Sequence, residues 1–282
     1  MKRRNKSMPG ALFIQGNSSL NIKNGDACYS EKGKQIVKAL DGNIAKDEEL
    51  LGKGVYKRFG VAKNGYNLVS NQFSTHYFFE NRNTFYNFVR NLSENCKIGG
   101  HIMGTCYDGK RVFNMLERKK EGESVFIMNE NDTKMWDVKK LYNKSTFPDE
   151  ESSLGYPIDV YQESINTTNT EYLVNFDFFT RVLENYGFVP ITTDEAHRMG
   201  FPSAIGSFET LFDNMKEEIE SSKIDKADVG KALNMSNEEK TISFLNNYYI
   251  FKKIRNPNAK EITDRILNIT EEQTKLDDDE TT

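Results

Sequence analysis

GYNLVSNQFSTHYFFE, residues 65–80, decides the fold. Tyr66–Ser70 is a short run opened by a glycine, the pattern of a buried strand. At its exit Asn71, Gln72, His76 and Tyr77 crowd against Phe73, Phe78 and Phe79. In an open α/β sheet, ligands sit at the carboxyl ends of the strands, so hydrogen-bonding groups mixed with flat rings at this point mark a ligand crevice. The plain alternative is that the rings are core and His76 is a satisfied, half-buried histidine.

The flanking sequence supports a parallel sheet. NTFYNFVRNLSENC (83–96) places Phe85, Phe88, Val89 and Leu92 at helical spacing, and Gly99-Gly100 ends it. HIMGTCYD (101–108) reads as the next strand and RVFNMLERK (111–119) as a short helix. Upstream, ALFIQGNSS (11–19) reads as a strand closing in a polar turn, and KGKQIVKAL (32–40) as a helix. Strands over 11–16, 66–72 and 100–106, with helices 83–96 and 176–186 packed on them, give a βαβα alternation. After residue 120, ESVFIMN, KMWDVKKLY and YPIDVYQ look like short strands of an inserted antiparallel element. TEYLVNFDFFTRVLENYG (170–187) reads as one helix, FVPITTDEA as a strand, FETLFDNMKEEIESS as a helix and TISFLNNYYIFKKI as a long closing strand.

Composition excludes several classes. The chain has 282 residues, 37% of them hydrophobic, enough to bury one sizeable core. It contains no run of about 18 apolar residues, so a membrane span is not expected. The basic start MKRRNKSMPG leads into no secretory apolar region. Cys28, Cys96 and Cys106 form no CxxC pair, and His76, His101 and His197 build no metal motif. A reducing compartment is expected. Net charge is −4, so the chain as a whole is not basic enough to announce a nucleic-acid binder. Basic clusters at Lys2–Lys6, Lys110–Arg111 and Lys252–Arg255 could nevertheless hold phosphates, and the acidic end EEQTKLDDDETT is expected to be disordered.

QFSTHYFFE, a helix, and then GGHIMGTCYDG together resemble the central block of eukaryotic and viral mRNA cap guanine-N7 methyltransferases. The resemblance extends to ALFIQGNSS, to TEYLVNF and to SFLNNYYIFKK, covering roughly residues 10–254. The Asn-, Lys-, Phe- and Tyr-rich style is similar to the capping enzymes of large DNA viruses. The resemblance implies an α/β fold, the Rossmann-like sheet of class I S-adenosylmethionine-dependent methyltransferases, with a small antiparallel insertion. It implies a methyl group moved from S-adenosyl-L-methionine to N7 of the mRNA cap guanine. Asn17, Ser18, Gln72 and Tyr77 are expected on the cofactor, and His76, Tyr77 and Glu171 on the guanine. Asn246 falls where the family carries an aromatic against the guanine, with Tyr248 and Tyr249 shortly after. No metal is implied, and no residue acts as a general base, because guanine N7 carries no proton and positioning does the work.

The family's first strand with its glycine-rich loop, and the acidic residue after the second strand, have no counterpart. Gly52-Lys53-Gly54 follows a polar stretch rather than a strand. The resemblance therefore implies a domain over 1–256 lacking its N-terminal part, a fragment or one product of a split reading frame. A polar tail is expected over 257–282. Expected partners are capped mRNA and either the triphosphatase and guanylyltransferase part of a capping enzyme or a second chain. The expected place is the cytoplasm, in a viral factory, or the nucleus. Two further readings stand beside it: an accessory fragment that binds RNA or a partner subunit, and a class I methyltransferase acting on a small molecule.

Overall fold

The computed structural model describes residues 10–268. The Lys2–Lys6 cluster and the acidic end from residue 271 lie outside them. In chain order come α1 (Glu31–Asp41) and two single turns, α2 (Glu48–Leu51) and α3 (Lys53–Tyr56). Then follow β1 (Tyr66–Gln72), a 3-10 turn over Thr75–Phe79, α4 (Arg82–Asn95), β2 (Cys96–Tyr107) and α5 (Gly109–Met115). The insertion contributes β3 (Ser124–Met128), β4 (Lys134–Lys140), β5 (Pro157–Gln162) and β6 (Thr167–Tyr172). The remainder is α6 (Phe176–Asn185), β7 (Phe188–Pro190), α7 (Thr193–Arg198), β8 (Ile205–Ser207), α8 (Phe208–Glu220), α9 (Asn237–Ser243) and β9 (Asn246–Lys253).

The main sheet runs β1-β2-β9-β7, and β8 also pairs with β9. β1 and β2 are parallel, while β9 is antiparallel to β2, β7 and β8. This is a mixed α/β sheet, with one late strand, β9, antiparallel between β2 and β7, which are parallel to each other. The insertion is a separate antiparallel sheet, β3-β4-β5-β6. No helix among the described residues is long and apolar enough to cross a membrane.

α4 shows how sequence makes the scaffold. Asn81 and Thr84 close a reciprocal capping box at its start. Phe85, Phe88, Val89 and Leu92 all face inward and are buried, as their spacing requires. Phe78 stacks on Phe88 with ring centroids 4.0 Å apart, and Phe79 meets Phe85 edge-on at 4.8 Å. The rings that follow β1 thus divide their labour: Phe78 and Phe79 anchor the turn in the core, leaving His76 and Tyr77 to the crevice.

Three expectations are corrected. Residues 11–16 form no strand of the sheet: the segment's one ladder contact is a bridge from Gly16 to Cys28, and Phe13 is 93% exposed. Among the described residues no strand pairs with the outer edge of β1, and Leu68 on it is half exposed. Residues 170–187 are not one helix, since β6 ends at Tyr172 and Asn175 caps a helix beginning at Phe176. Finally, order continues past residue 256. A helix over 259–268 buries Ala259, and the Tyr186 hydroxyl bonds Thr263 Oγ1 at 2.7 Å.

Candidate functional site

The chain turns sharply out of β1. Phe73 has φ +49°, a left-handed conformation that costs a non-glycine residue about 1–2 kcal/mol. It is held there because its N–H donates to the Thr105 carbonyl at 2.8 Å. Asn71 Nδ2 donates to Thr75 Oγ1 at 3.0 Å, and the Ser74 hydroxyl donates to Asn71 Oδ1. Thr75 Oγ1 shares a further hydrogen bond of 2.8 Å with the buried Tyr249 hydroxyl. These polar groups therefore lock the turn that aims His76 and Tyr77. Gly104 makes this possible: a Cβ there would lie 2.4 Å from the Tyr249 hydroxyl and from the Asn71 carbonyl.

β6 lies against this turn. Its register pairs Glu171 with Ile158 of β5, which puts the Glu171 carboxylate beside His76 although the two are far apart in sequence. His76 Nδ1 and Glu171 Oε2 are 3.6 Å apart, and both side chains are almost wholly buried. That separation is too long for a hydrogen bond. Nor is it an ion pair near neutrality, because burial drives both groups toward their uncharged forms. Burial pushes Glu171 up to about 7 and His76 down to about 4. Both ring nitrogens of His76 lack any hydrogen-bond partner. Buried polar atoms are normally satisfied, so a native site with two orphans on one ring calls for a ligand or water.

His76, Tyr77 and Glu171 line one cavity of about 400 Å³ at the carboxyl ends of β1 and β2. Tyr107, Val160 and Asn246 contribute to its lining, and Phe73 and Phe208 add aromatic surface. Among the described residues no lysine or arginine lines it. Its single acid and its rings suit a flat, uncharged heterocycle bearing N–H donors.

Each expected residue has a place. His76, Tyr77, Glu171 and Asn246 converge on this cavity, with Glu171 on a strand rather than in the first turn of a helix. Gln72 is exposed at the exit of β1, its Oε1 accepting from Thr105 Oγ1 and its Nε2 donating to Ser70 Oγ. Tyr248 is not in the cavity. It points into the opposite cluster with Ile191 and Ile250, and its hydroxyl donates to the Ser203 carbonyl. Asn17 and Ser18 are also elsewhere. Asn91 donates to the carbonyls of Ser18 and Leu20 from the last turns of α4, which lead to the starting end of β2. That is the far end of the strands from the cavity, because β1 and β2 are parallel and begin together at Tyr66 and Cys96. Phe73 lies in the β1 exit that the sequence marks as a crevice, whereas Phe208 and Tyr107 were missed: nothing local distinguishes them from core rings.

The two basic clusters among the described residues are largely engaged. Lys110 pairs with Asp149 and Asp177, Arg111 lies near Asp108 and Glu209, and Lys252 pairs with Glu195. Lys253 is buried and donates to the carbonyls of Ser93 and Cys96.

Residues 46–254 match the mRNA (guanine-N(7))-methyltransferase domain. A probable mRNA-capping enzyme of Acanthamoeba polyphaga mimivirus is 25% identical over 221 residues, which cover 73% of this chain and 18% of that protein. The chain thus spans about a fifth of that relative's length. Among solved structures, an S-adenosylmethionine-dependent methyltransferase from Clostridium acetobutylicum superposes with a TM-score of 0.34 at 8% identity, over 67% of this chain and 59% of that one. A second, from Listeria monocytogenes, gives 0.34 at 11% identity over 67% and 62%. The family match takes in the β1 exit, Glu171 and β9 alike, and its methyl donor is S-adenosyl-L-methionine: the chain belongs to the mRNA (guanine-N(7))-methyltransferase domain family.

Proposed function

We propose that the cavity holds the guanine of an mRNA cap and presents its N7 for methylation. The observation that carries this is the desolvated Glu171 carboxyl beside an imidazole with two unpartnered nitrogens, in a cavity with aromatic walls. The ionised carboxyl accepts from guanine N1–H and the exocyclic amine. Neutral His76 offers one donor and one acceptor to the base edge, and Tyr77 offers its ring face. N7 attacks through a lone pair, so nothing need remove a proton. Rate then comes from holding the base in line, which can contribute about 7–11 kcal/mol in favourable cases.

The bound cofactor supplies an electrophilic methyl group. Of the side chains expected on it, Gln72 and Tyr77 stand at the right end of the strands, whereas Asn17 and Ser18 do not. Among the described residues, Gln72 and Tyr77 are the side chains that would hold it, at the exit of β1. The wider reading places the chain with the other capping activities, as in the longer viral relative.

Titration of the cap dinucleotide GpppG into the protein tests this. The base is held by the ionised Glu171, so affinity is lost as pH falls through about 7 and is fully present above it. His76 stays neutral down to about 4 and does not titrate in this window. Binding is expected to be about tenfold weaker at pH 6 than at pH 8. A flat profile would contradict the role of Glu171.

A further inference from the structure

We propose that Phe208 is a second stacking surface of the cap pocket, in addition to Tyr77, carried beside Asn246 by the neighbouring strand; this rests on the cap-pocket reading above. β8 pairs Ser207 with Asn247 of β9, so the next residue, Phe208, emerges next to Asn246. Both line the cavity. An asparagine amide at this position offers little surface to a base, and its Nδ2 is already given to the Ser243 carbonyl at 3.1 Å. Phe208 supplies the flat apolar face that Asn246 lacks.

Its placement is rigid. Gly206 lets β8 approach β9 closely, since a Cβ there would lie 2.7 Å from the Tyr248 hydroxyl. That hydroxyl also receives the Ser203 N–H at 3.3 Å, and Ile250 N–H donates to the Ala204 carbonyl at 2.7 Å. Ser207 caps α8 by accepting from Thr210 N–H. Tyr248 thus acts on the pocket indirectly, by clamping the segment that delivers Phe208. Beside it in the cavity lining, the half-exposed Phe73 ring meets Phe208 edge-on, centroids 6.1 Å apart and planes at 79°. Such an edge-to-face contact is a favoured arrangement of two rings.

The test compares Phe208→Leu and Phe208→Tyr by calorimetric titration with GpppG at pH 8, with melting temperature as the check on folding. Leucine keeps an apolar side chain against the cluster of Ile191, Tyr248 and Ile250 but removes the ring, and affinity is expected to fall about tenfold or more. Tyrosine should hold affinity within about twofold, because the π-face is retained. Unchanged affinity in Phe208→Leu, together with weakened binding in Glu171→Gln, would overturn the stacking role and leave the cap pocket standing. Unchanged affinity in both would remove the cap pocket itself. Should Phe208→Leu fail to fold, ring-labelled wild-type protein decides: contacts between the Phe208 ring and guanine H8 in the nuclear Overhauser spectrum are expected, and their absence overturns the proposal.

Discussion

Glu171→Gln is expected to weaken GpppG binding by on the order of a hundredfold while leaving the fold as stable as before, or slightly more so. Two donors of the guanine edge converge on the carboxylate, and each hydrogen bond to a charged group contributes roughly 1.5–3 kcal/mol. A glutamine carbonyl accepts without charge, and its amide N–H faces the guanine amine. Losing about 3 kcal/mol is roughly two decades of affinity. Stability should move the other way because burial without a cation keeps this carboxyl at a pKa of about 7. A neutral amide of the same size removes the cost of ionising a desolvated acid near neutrality. Calorimetry and a thermal melt of the same sample measure both. Weak binding accompanied by a collapsed melting temperature would mean that Glu171 is structural.

Gly104→Ala should have the largest effect on the fold. The added methyl would meet the Asn71 carbonyl and the Tyr249 hydroxyl at 2.4 Å each, between the two strands that flank it. Neither neighbour has room to yield: Asn71 is backbone of β1, and Tyr249 is fully buried with its hydroxyl on Thr75. Overpacking costs about 1–3 kcal/mol and a broken buried hydrogen bond about as much again. For a chain of this size the melting temperature should fall by about 10 °C. Gly54→Ala is the control, since nothing lies within 4 Å of its Cβ position; its melting temperature should be unchanged or slightly raised. Equal melting temperatures for the two variants would show that the turn is not held through Gly104.

Much of this was legible in the sequence because it is periodic or local. α4 announced itself by four apolar residues on one face, and β1 by a short run opened by Gly65, while β2 begins at Cys96, before the Gly99-Gly100 pair that reads as the helix end. The convergence of His76 and Glu171 followed from the family resemblance, not from the chain's own pattern, because it depends on the register of β6 against β5. β6 itself was misread. Thr167–Tyr172 carries strand-favouring threonines but little apolar alternation, and the stop signal, Asn175 as helix cap, sits behind two buried apolar residues. Residues 11–16 failed for the opposite reason: their composition suits a strand, but a strand needs a partner, and they pair with nothing in the sheet. Phe208 lay beyond any local reading, since only the β8–β9 register sets it beside Asn246.

Base selectivity tests the cap pocket most directly. Adenine presents a lone pair at N1 and no amine at C2, so in the same pocket its edge would face the Glu171 carboxylate with an acceptor instead of two donors. A site built to hydrogen-bond a particular edge rejects a base that leaves its buried groups unpaired far more strongly than a merely apolar slot would. Calorimetric titration of the 282-residue chain with GpppG and with ApppA at pH 8 is predicted to show GpppG bound more tightly by on the order of a hundredfold or more. Equal affinity for the two dinucleotides, or no saturable binding of GpppG, would contradict it.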